Sequence, residues 1–271
     1  MTNRDAWKQK VVLVTGGSAG LGLEIARAFG RAGAKIAIVA RDEQRLDSAQ
    51  SQLQAEGIEA TAISADVCTD EDATRVVAEI LKVHGRLDVL VNNVGKSTRG
   101  RAIDATPQEF QSLWETNFLS TVRMTRAAAA PLTEQRGSIV NIGSLASKVG
   151  SLHLGAYAAS KFPLAAFSQQ LRLEMASEGL HVLLVCPGPI RRADGGTRYQ
   201  EQAANLPSGA SAPGGGVKLK GLEPAYVAAQ IVRAVERRKK EIVLPWKARL
   251  LFAISQLSAE WGDWLLLKMM K

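Results

Sequence analysis

Cysteine and histidine are scarce in this sequence, and their scarcity excludes several kinds of site. The 271-residue chain has two cysteines and three histidines, which are far apart and show no metal-ligand spacing. We therefore predict no metal site, and we expect Cys68 and Cys186 to be buried thiols rather than a disulfide. Such thiols are typical of a reducing compartment, so the sequence favours a cytoplasmic protein.

Long hydrophobic runs and blocks of like charge are also missing. The first apolar run, Val11 to Val14, is short and leads into a glycine-rich turn, so no signal peptide is predicted. The net charge is +8, but lysines and arginines are scattered among acids, which does not indicate a nucleic-acid surface. Hydrophobic residues make up 46% of the chain, which excludes wholesale disorder and suits one large α/β domain.

Apolar runs alternate with helical patterns along the chain, which predicts an α/β fold. Wholly apolar runs are typical of strands that are buried on both faces of a parallel sheet. The predicted strands are 10–15, 35–40, 60–65, 89–92, 138–142, 181–186 and 241–244. The later predicted helices are 43–56, 70–84, 106–132 with a bend, 157–175, and one that begins at residue 224.

A glycine turn follows the first predicted strand and opens a helix. Gly16, Gly20 and Gly22 have the spacing Gly-x-x-x-Gly-x-Gly, with Ser18 and Leu21 among them. Glycines let the backbone approach a pyrophosphate, and the free N–H groups of a helix N-terminus bind that anion. A glycine turn also serves tight packing of a helix on a sheet, so this pattern alone leaves both interpretations open.

The end of the second strand indicates which nicotinamide dinucleotide is preferred. An acid there bonds the ribose hydroxyls of NAD, whereas an arginine accommodates a 2′-phosphate. Here Ala40 stands in the acid's place and Arg41 follows it. Because guanidinium pairs well with phosphate, we predict a preference for NADP(H). NAD(H) is the alternative, since Asp42 comes next, and Arg41 would then be a solvated charge.

Two further groups of residues follow predicted strands, at the edge where open parallel sheets bind ligands. Asp66 and Val67 come directly after the third strand, where the carboxylate either caps a helix or contacts an adenine ring. Asn92, Asn93 and Gly95 follow the fourth strand. We expect the two amides to hold this edge together and Gly95 to permit close approach of the cofactor.

Tyr157 and Lys161 form the pattern with the clearest chemistry. Positions i and i+4 share one face of a helix, so the phenol and the ammonium point the same way. A nearby ammonium stabilises phenolate, so we predict a tyrosine pKa below its usual value of about 10. Such a tyrosine can exchange a proton with a carbonyl or alcohol oxygen. Ser144, after the fifth strand, can supply a second hydrogen bond to that oxygen.

Taken together, these motifs resemble the short-chain dehydrogenases/reductases. The residues that match that family's order and spacing are Thr15 to Gly22, Asp66-Val67, Asn92 to Gly95, Asn117, Ser144, Tyr157, Lys161 and Pro187-Gly188. The resemblance covers about residues 8–245. It implies a doubly wound Rossmann fold with a seven-stranded parallel sheet and helices on both faces. It also implies hydride transfer between a nicotinamide cofactor and a carbonyl or alcohol substrate, in a homodimer or homotetramer.

The resemblance also assigns roles to the site residues. It implies that Tyr157 is the acid/base, that Ser144 positions the substrate oxygen, and that Lys161 lowers the tyrosine pKa and bonds the nicotinamide ribose. Asn117 would hold a water in the proton relay, a role that rests on the family alone. The predicted cofactor-binding residues are Gly16, Ser18, Gly20, Leu21, Gly22, Arg41, Asp66, Val67, Asn93, Gly95, Tyr157, Lys161, Pro187, Gly188 and Ile190.

One departure from the family pattern lies after Pro187-Gly188. Family members often carry a threonine there that bonds the carboxamide of the cofactor, whereas this chain has Arg191 and Arg192. Cofactor orientation is therefore expected to rely on backbone groups or on Thr197. The stretch 191–221 is rich in glycine and proline, and we predict a flexible loop that closes over the substrate.

Residues 246–271 show a helical pattern with a wide apolar face that includes Trp261 and Trp264. We predict that residues 1–245 form the dinucleotide-binding and catalytic domain and that 246–271 extend it. Glu260 and Asp263 interrupt the apolar face, so a membrane-spanning segment is not expected. Packing on the core or on another subunit is favoured, and contact with a membrane interface is the alternative.

The sequence therefore predicts an NADP(H)-dependent oxidoreductase that acts on a carbonyl or alcohol, with a 3-oxoacyl or lipid-like ketone as candidate substrate. Two other functions use a related fold. A non-catalytic nucleotide-sensing protein would not need Tyr157 and Lys161. A sugar-nucleotide epimerase usually has a larger carboxyl-terminal domain than this chain offers. The sequence favours the oxidoreductase over both.

Overall fold

A parallel sheet forms the centre of the computed structural model, which describes residues 4–192, 198–207, 209–212, 214–217 and 219–270. Within these residues seven strands pair in the order β3-β2-β1-β4-β5-β6-β7. They are β1 (Val11–Thr15), β2 (Lys35–Ala40), β3 (Ala60–Ser64), β4 (Val89–Asn92), β5 (Ser138–Ile142), β6 (His181–Pro187) and β7 (Glu241–Leu244). The order runs outward from β1 in both directions, so the predicted doubly wound sheet is confirmed.

Helices cover both faces of the sheet. The described residues form ten α-helices: α1 (Arg4–Trp7), α2 (Gly20–Ala32), α3 (Glu43–Ala55), α4 (Asp70–His84), α5 (Pro107–Trp114), α6 (Ser120–Glu134), α7 (Tyr157–Glu174), α8 (Pro224–Glu236), α9 (Ala248–Leu257) and α10 (Ala259–Met270). Alternate residues of β1 point to opposite faces. Val12 and Val14 join a cluster with α2, α3 and α8, whereas Val11 and Leu13 join a cluster with α4 and α6. The predicted Rossmann architecture is therefore confirmed.

The predicted long helix over 106–132 is divided by a π-helical turn. Its start is a capping box, in which the Thr106 hydroxyl accepts the Glu109 N–H at 3.2 Å and the Glu109 carboxylate accepts the Thr106 N–H at 2.7 Å. The π turn spans Glu115–Leu119, between α5 and α6. This turn is the physical form of the predicted bend, and it contains the buried Asn117.

The carboxyl ends of the strands meet at one edge of the sheet, because all the strands run in the same direction. β1 ends immediately before the glycine turn, β5 ends two residues before Ser144, and β6 ends at Pro187. Asn92 Nδ2 donates to Asn141 Oδ1 at 3.0 Å, and Asn93 Nδ2 donates to the Thr15 carbonyl at 3.0 Å. The two amides therefore hold this edge together, as the sequence predicts.

The two carboxyl-terminal helices, α9 and α10, form a hairpin beside β6 and β7. Leu251 and Phe252 are buried in a cluster that includes residues of both strands. A Cβ on Gly262 would lie 2.6 Å from the Ser255 hydroxyl, so the two helices approach closely there. The outer face of the hairpin leaves Trp264 exposed. Among the described residues, no helix has the length and apolar composition needed to cross a membrane. The division into 1–245 and 246–271 stays a prediction.

Candidate active site

The glycine turn has a backbone geometry that suits a pyrophosphate. Gly16 and Gly20 have φ angles of 64° and 55°, in the left-handed region that favours glycine. A Cβ on Gly22 would lie 2.2 Å from the Gly16 carbonyl oxygen and 2.6 Å from Asn93 Nδ2. Within the described chain, no side chain caps the first turn of α2. Its N–H groups are thus left for an external anion, and the turn, with Ser18 in it, fits a dinucleotide.

Arg41 lies at the end of β2 with its side chain 77% exposed, and its guanidinium is 3.7 Å from the Asp66 carboxylate. Asp42 has a different task, since its carboxylate accepts the Arg45 N–H at 3.0 Å and caps α3. Asp42, which the sequence offers as an alternative ligand for the ribose hydroxyls of NAD, is thus engaged in capping α3. Arg41 is the more exposed of the two side chains, at 77% against 53% for Asp42.

Two interpretations were open for Asp66, and the structure excludes the helix cap. Thr69 is the N-cap of α4, and its hydroxyl accepts the Asp72 N–H at 3.2 Å. Asp66 instead accepts the N–H of Cys68 at 3.1 Å, in the short turn that follows β3. Val67 is buried beside it. The contact with adenine stays a prediction for Asp66 and Val67.

Ser144, Tyr157 and Lys161 line one cavity of about 550 Å³ at the carboxyl edge of the sheet. Tyr157 opens α7 and Lys161 lies one turn later, as the spacing predicts. Lys161 is 4% exposed, and its ammonium donates to the Ile142 carbonyl at 3.0 Å. The Ser144 hydroxyl accepts the Ala146 N–H at 3.1 Å, which fixes it at the start of a short 3₁₀ turn. The structure therefore brings the three predicted catalytic groups together.

The predicted direction of the tyrosine pKa shift is wrong for the structure as it stands. Burial raises the pKa of Tyr157, while a hydrogen bond with Ser144 and the charges of Arg192 and Arg99 act to lower it. Burial also lowers the pKa of Lys161 to about 8. The same desolvation thus disfavours both phenolate and ammonium, a contribution that sequence spacing does not reveal.

Asn117 is fully buried, and its side chain acts as a clamp. Its Nδ2 donates to the Lys96 carbonyl at 2.9 Å and to Ser160 Oγ at 2.8 Å, and its Oδ1 accepts the Lys96 N–H at 2.7 Å. The amide therefore joins the loop after β4 to α7. Both Nδ2 hydrogens and one lone pair of Oδ1 are thus engaged, and the role of Asn117 in holding a relay water stays a prediction.

Gly95 lies where this clamp meets the catalytic helix. A Cβ there would stand 3.0 Å from Asn117 Oδ1 and 3.1 Å from Lys161 Nζ. A side chain at this position would press on both groups, so glycine suits the close approach to Lys161. The predicted role of Gly95, to permit a close approach, therefore has a geometric basis.

The other predicted cofactor residues lie along the same cavity. Leu21, Asn93, Pro187, Gly188 and Ile190 line it. The Gly188 N–H donates to the Leu244 carbonyl at 2.7 Å, which fixes the turn after β6. Arg192 also lines the cavity, in the region where the family often has a threonine. Thr197 lies outside the described residues.

Arg99 is a cavity residue that sequence reasoning missed. It is 8% exposed, and its guanidinium donates to the carbonyls of Ala210 at 2.9 Å and Ala212 at 3.0 Å. It also stacks on the Tyr199 ring, 3.8 Å from the ring centroid. Arg99 therefore fastens part of the 198–217 stretch over the cavity. No local pattern marks it, because its partners lie more than a hundred residues later in the chain.

The composition of the cavity wall also escapes sequence reasoning. The described residues that line it include six basic side chains and neither aspartate nor glutamate. The basic residues are Lys96, Arg99, Lys161, Arg192, Arg198 and Lys247. The carboxyl-terminal hairpin supplies the apolar residues Leu250, Leu251, Leu265, Leu266 and Met269. From the wide apolar face of 246–271, the sequence predicted that these residues pack on the core or on another subunit. It did not predict that they line the cavity that contains the catalytic groups.

Comparison with known proteins agrees with this geometry. The short chain dehydrogenase family profile matches residues 10–203. Dehydrogenase/reductase SDR family member 7B from Danio rerio is 35% identical over 251 residues, which cover 88% of this chain and 77% of that protein. Ketoacyl reductase HetN from Nostoc is 31% identical over 257 residues, which cover 92% of this chain and 85% of that protein.

A solved structure gives the same result in three dimensions. A variant of actinorhodin polyketide ketoreductase, crystallised with NADPH, superposes with a TM-score of 0.78 and 28% identity. The match covers 90% of this chain and 97% of that one. The family profile spans more than half of the sequence. One family therefore accounts both for the glycine turn and for the cluster of Ser144, Tyr157 and Lys161. The chain belongs to the short-chain dehydrogenase/reductase family.

Proposed function

We propose that this protein is an NADP(H)-dependent reductase of a ketone. The observation that carries the proposal is one cavity lined by Ser144, Tyr157 and Lys161, at the sheet edge where the glycine turn also lies. A nicotinamide dinucleotide would supply the hydride there. The glycine turn and the N-terminus of α2 would hold its pyrophosphate, and Lys161 would bond its nicotinamide ribose.

The side chains of the cavity account for the proton. Ser144 and Tyr157 both present a hydroxyl to the cavity, so both can donate a hydrogen bond to a ketone oxygen. Tyr157 then gives its proton to that oxygen as it becomes an alkoxide. The positive charges of Arg192 and Arg99 stabilise the phenolate that remains. The reverse sequence would oxidise an alcohol, with Tyr157 as the base.

Arg41 supports NADP(H) as the cofactor. Its guanidinium is exposed at the end of β2, while the neighbouring Asp42 carboxylate is engaged in capping α3. A 2′-phosphate is a better partner for a guanidinium than the Asp66 carboxylate at 3.7 Å, because it carries more charge. The ketoreductase described above was crystallised with NADPH, which favours the same choice.

A 3-oxoacyl or lipid-like ketone is the substrate class that we favour. HetN and the actinorhodin enzyme are named as ketoacyl and polyketide ketoreductases. The cavity here combines basic side chains with an apolar wall, which suits an acyl chain that carries a polar group. We also propose that the protein acts in the cytoplasm, as a homodimer or homotetramer.

Titration with NADPH and with NADH, followed by nicotinamide fluorescence and thermal unfolding, is the first test. We expect tighter binding of NADPH, and then oxidation of NADPH in the presence of the thioester of a 3-oxoacid. Binding of both nucleotides without turnover of any ketone or alcohol would favour the nucleotide-sensing alternative. Binding of neither would overturn the proposal.

A further inference from the structure

The carboxyl-terminal hairpin forms one wall of the catalytic cavity. Leu251 of α9 and Leu265 and Leu266 of α10 line this cavity and belong to one apolar cluster. Leu145 and Val149, which follow Ser144 in sequence, belong to the same cluster and line the same cavity. A continuous apolar surface therefore runs from the catalytic serine to α10.

The hairpin is a built part of the fold. Leu251 is 7% exposed, and Phe252 beside it is also buried. Ser258 lies between the two helices, and its hydroxyl accepts the Trp261 N–H at 3.3 Å in the first turn of α10. The close approach at Gly262 leaves no room for a side chain. The wall is thus held in place by packing from within the chain.

The two sides of the cavity differ in chemistry. Basic residues from the loops after β4 and β6, Arg99 and Arg192, lie near enough to Tyr157 to lower its pKa by their charge. The hairpin side presents leucine and methionine. A small ketone bound at Ser144 and Tyr157 would leave that apolar wall in contact with water, whereas an aliphatic chain would cover it.

We propose that the α9–α10 hairpin binds the aliphatic chain of the substrate, and that the enzyme selects ketones by the length of that chain. The proposal rests on the proposed reductase function for the position of the carbonyl. Leu250, Leu266 and Met269 are among the hairpin residues that would contact this chain. Each methylene that leaves water for this wall should tighten binding roughly three- to fourfold.

The test uses N-acetylcysteamine thioesters of 3-oxo acids with chains of about four, eight and twelve carbons, and the matching 3-hydroxy thioesters. Turnover with NADPH gives kcat/KM, and calorimetric titration of the 3-hydroxy compounds in the presence of NADP⁺ gives Kd without turnover. We expect kcat/KM to rise and Kd to fall with chain length by at least roughly tenfold over the series, which is the effect of covering only two of the added methylenes. Equal values across the series would overturn the proposal.

Two matched pairs of variants locate the effect. On α10, Leu266→Gln changes a cavity residue and Leu267→Gln its neighbour outside the cavity. On α9, Leu250 lines the cavity but is 67% exposed, and Leu257 is 84% exposed and outside it. Leu250→Gln and Leu257→Gln therefore leave the core intact, so this pair remains informative if Leu266→Gln does not fold.

The cavity variants should lose most of the preference for the long chain, while Leu257→Gln and Leu267→Gln should keep the wild-type ratio. An equal loss in both members of each pair would overturn the proposal. Failure of the reductase function gives a different result, in which chain-dependent binding persists without turnover. Turnover without chain dependence would remove the hairpin proposal and leave the reductase function in place.

Discussion

The chain up to Ile190 and the chain after it build the same cavity by different means. Before Ile190, the site contains the polar residues and glycines placed by strand ends and by one helix, such as Ser144 and the Tyr157–Lys161 pair, beside a few apolar residues such as Leu145. After Ile190, it contains the stretch around Tyr199 and the apolar side chains on α9 and α10. The first region holds the chemistry of the reaction, and the second shapes the space around the substrate.

The difference shows which part of function is visible in a sequence. Chemistry needs particular residue types at fixed spacings, and these remain recognisable whatever else changes. The shape of a substrate cavity depends on which leucines of a hairpin face inward, which follows only from the packing of distant elements. Variants that change the chemistry without changing the substrate fit, or the reverse, therefore test this division between the two regions.

The largest expected effect comes from the first region. Tyr157→Phe removes the proton donor and should lower kcat by roughly 10²- to 10⁴-fold, the usual contribution of general acid catalysis. Binding of NADPH should persist, because the glycine turn and Arg41 are untouched. Single-turnover kinetics and NADPH fluorescence titration measure the two properties separately.

Tyr226→Phe provides the control for that change. Tyr226 lies on α8 with half of its side chain exposed and does not line the cavity. It should keep wild-type kinetics. If Tyr157→Phe retained kcat within about threefold, the acid would be another group and the chemistry would not belong to the residues recognised in the sequence.

Lys161 gives the next largest effect, on stability. Burial lowers its pKa from about 10.5 to about 8. Between these two values the unfolded chain binds more protons than the folded protein, so the free energy of unfolding rises with pH in this window. The shift corresponds to roughly 3 kcal/mol for this group alone.

Lys161→Met should remove that rise. Urea unfolding of both proteins without cofactor, at several pH values from 7 to 11, gives the difference curve. We expect the wild-type protein to gain stability relative to the variant as pH increases from about 8 to about 10.5. A flat difference curve would show that Lys161 is well solvated, against its position at 4% exposure.

Most of the fold and much of the site could be predicted from the sequence. The seven strands were predicted to within one residue, because each is an apolar run that ends at polar residues or glycine. The catalytic helix was predicted because apolar residues from Leu164 to Met175 recur at three- and four-residue steps, which places Tyr157 and Lys161 on one face. The predicted direction of the Tyr157 pKa shift was wrong, because the shift is set mainly by burial, and burial depends on packing that residue spacing does not encode.

The parts that escaped prediction all involve contacts between distant segments. Arg99 bonds the carbonyls of Ala210 and Ala212, and backbone acceptors leave no trace in residue type. The engagement of Asn117 with Lys96 depends on a π turn that no simple periodicity reveals. The Arg99 contacts join the two regions compared above, whereas the Asn117 contacts join distant parts of the first region, so no local stretch of sequence predicts either.

Arg41→Asp tests the cofactor side of the comparison with a smaller expected effect. Loss of a charge-assisted contact with a 2′-phosphate costs about 1.5–3 kcal/mol, so NADPH should bind roughly 10- to 100-fold more weakly. NADH should be affected little, because it has no phosphate at that position. Arg45→Asp, also at this end of α3, is the matched control. Equal weakening of both nucleotides by Arg41→Asp would remove the phosphate contact from the proposal.

The smallest effect concerns Arg99, the residue that joins the two regions. Its charge lowers the pKa of Tyr157, and its forked guanidinium holds the carbonyls of Ala210 and Ala212. Arg99→Lys keeps the charge and loses the fork, whereas Arg99→Gln loses both. Both variants should therefore raise KM, since the stretch over the cavity is held less firmly.

Only Arg99→Gln should change the pH profile of reduction. Removing the positive charge raises the pKa of Tyr157, so the phenol keeps its proton and activity extends to higher pH. The measurement is log kcat/KM against pH for the wild type and both variants. If Arg99→Lys shifted the profile as far as Arg99→Gln, geometry rather than charge would connect this residue to Tyr157. The substrate-shaping region would then influence the chemistry only through the position of the stretch that Arg99 holds.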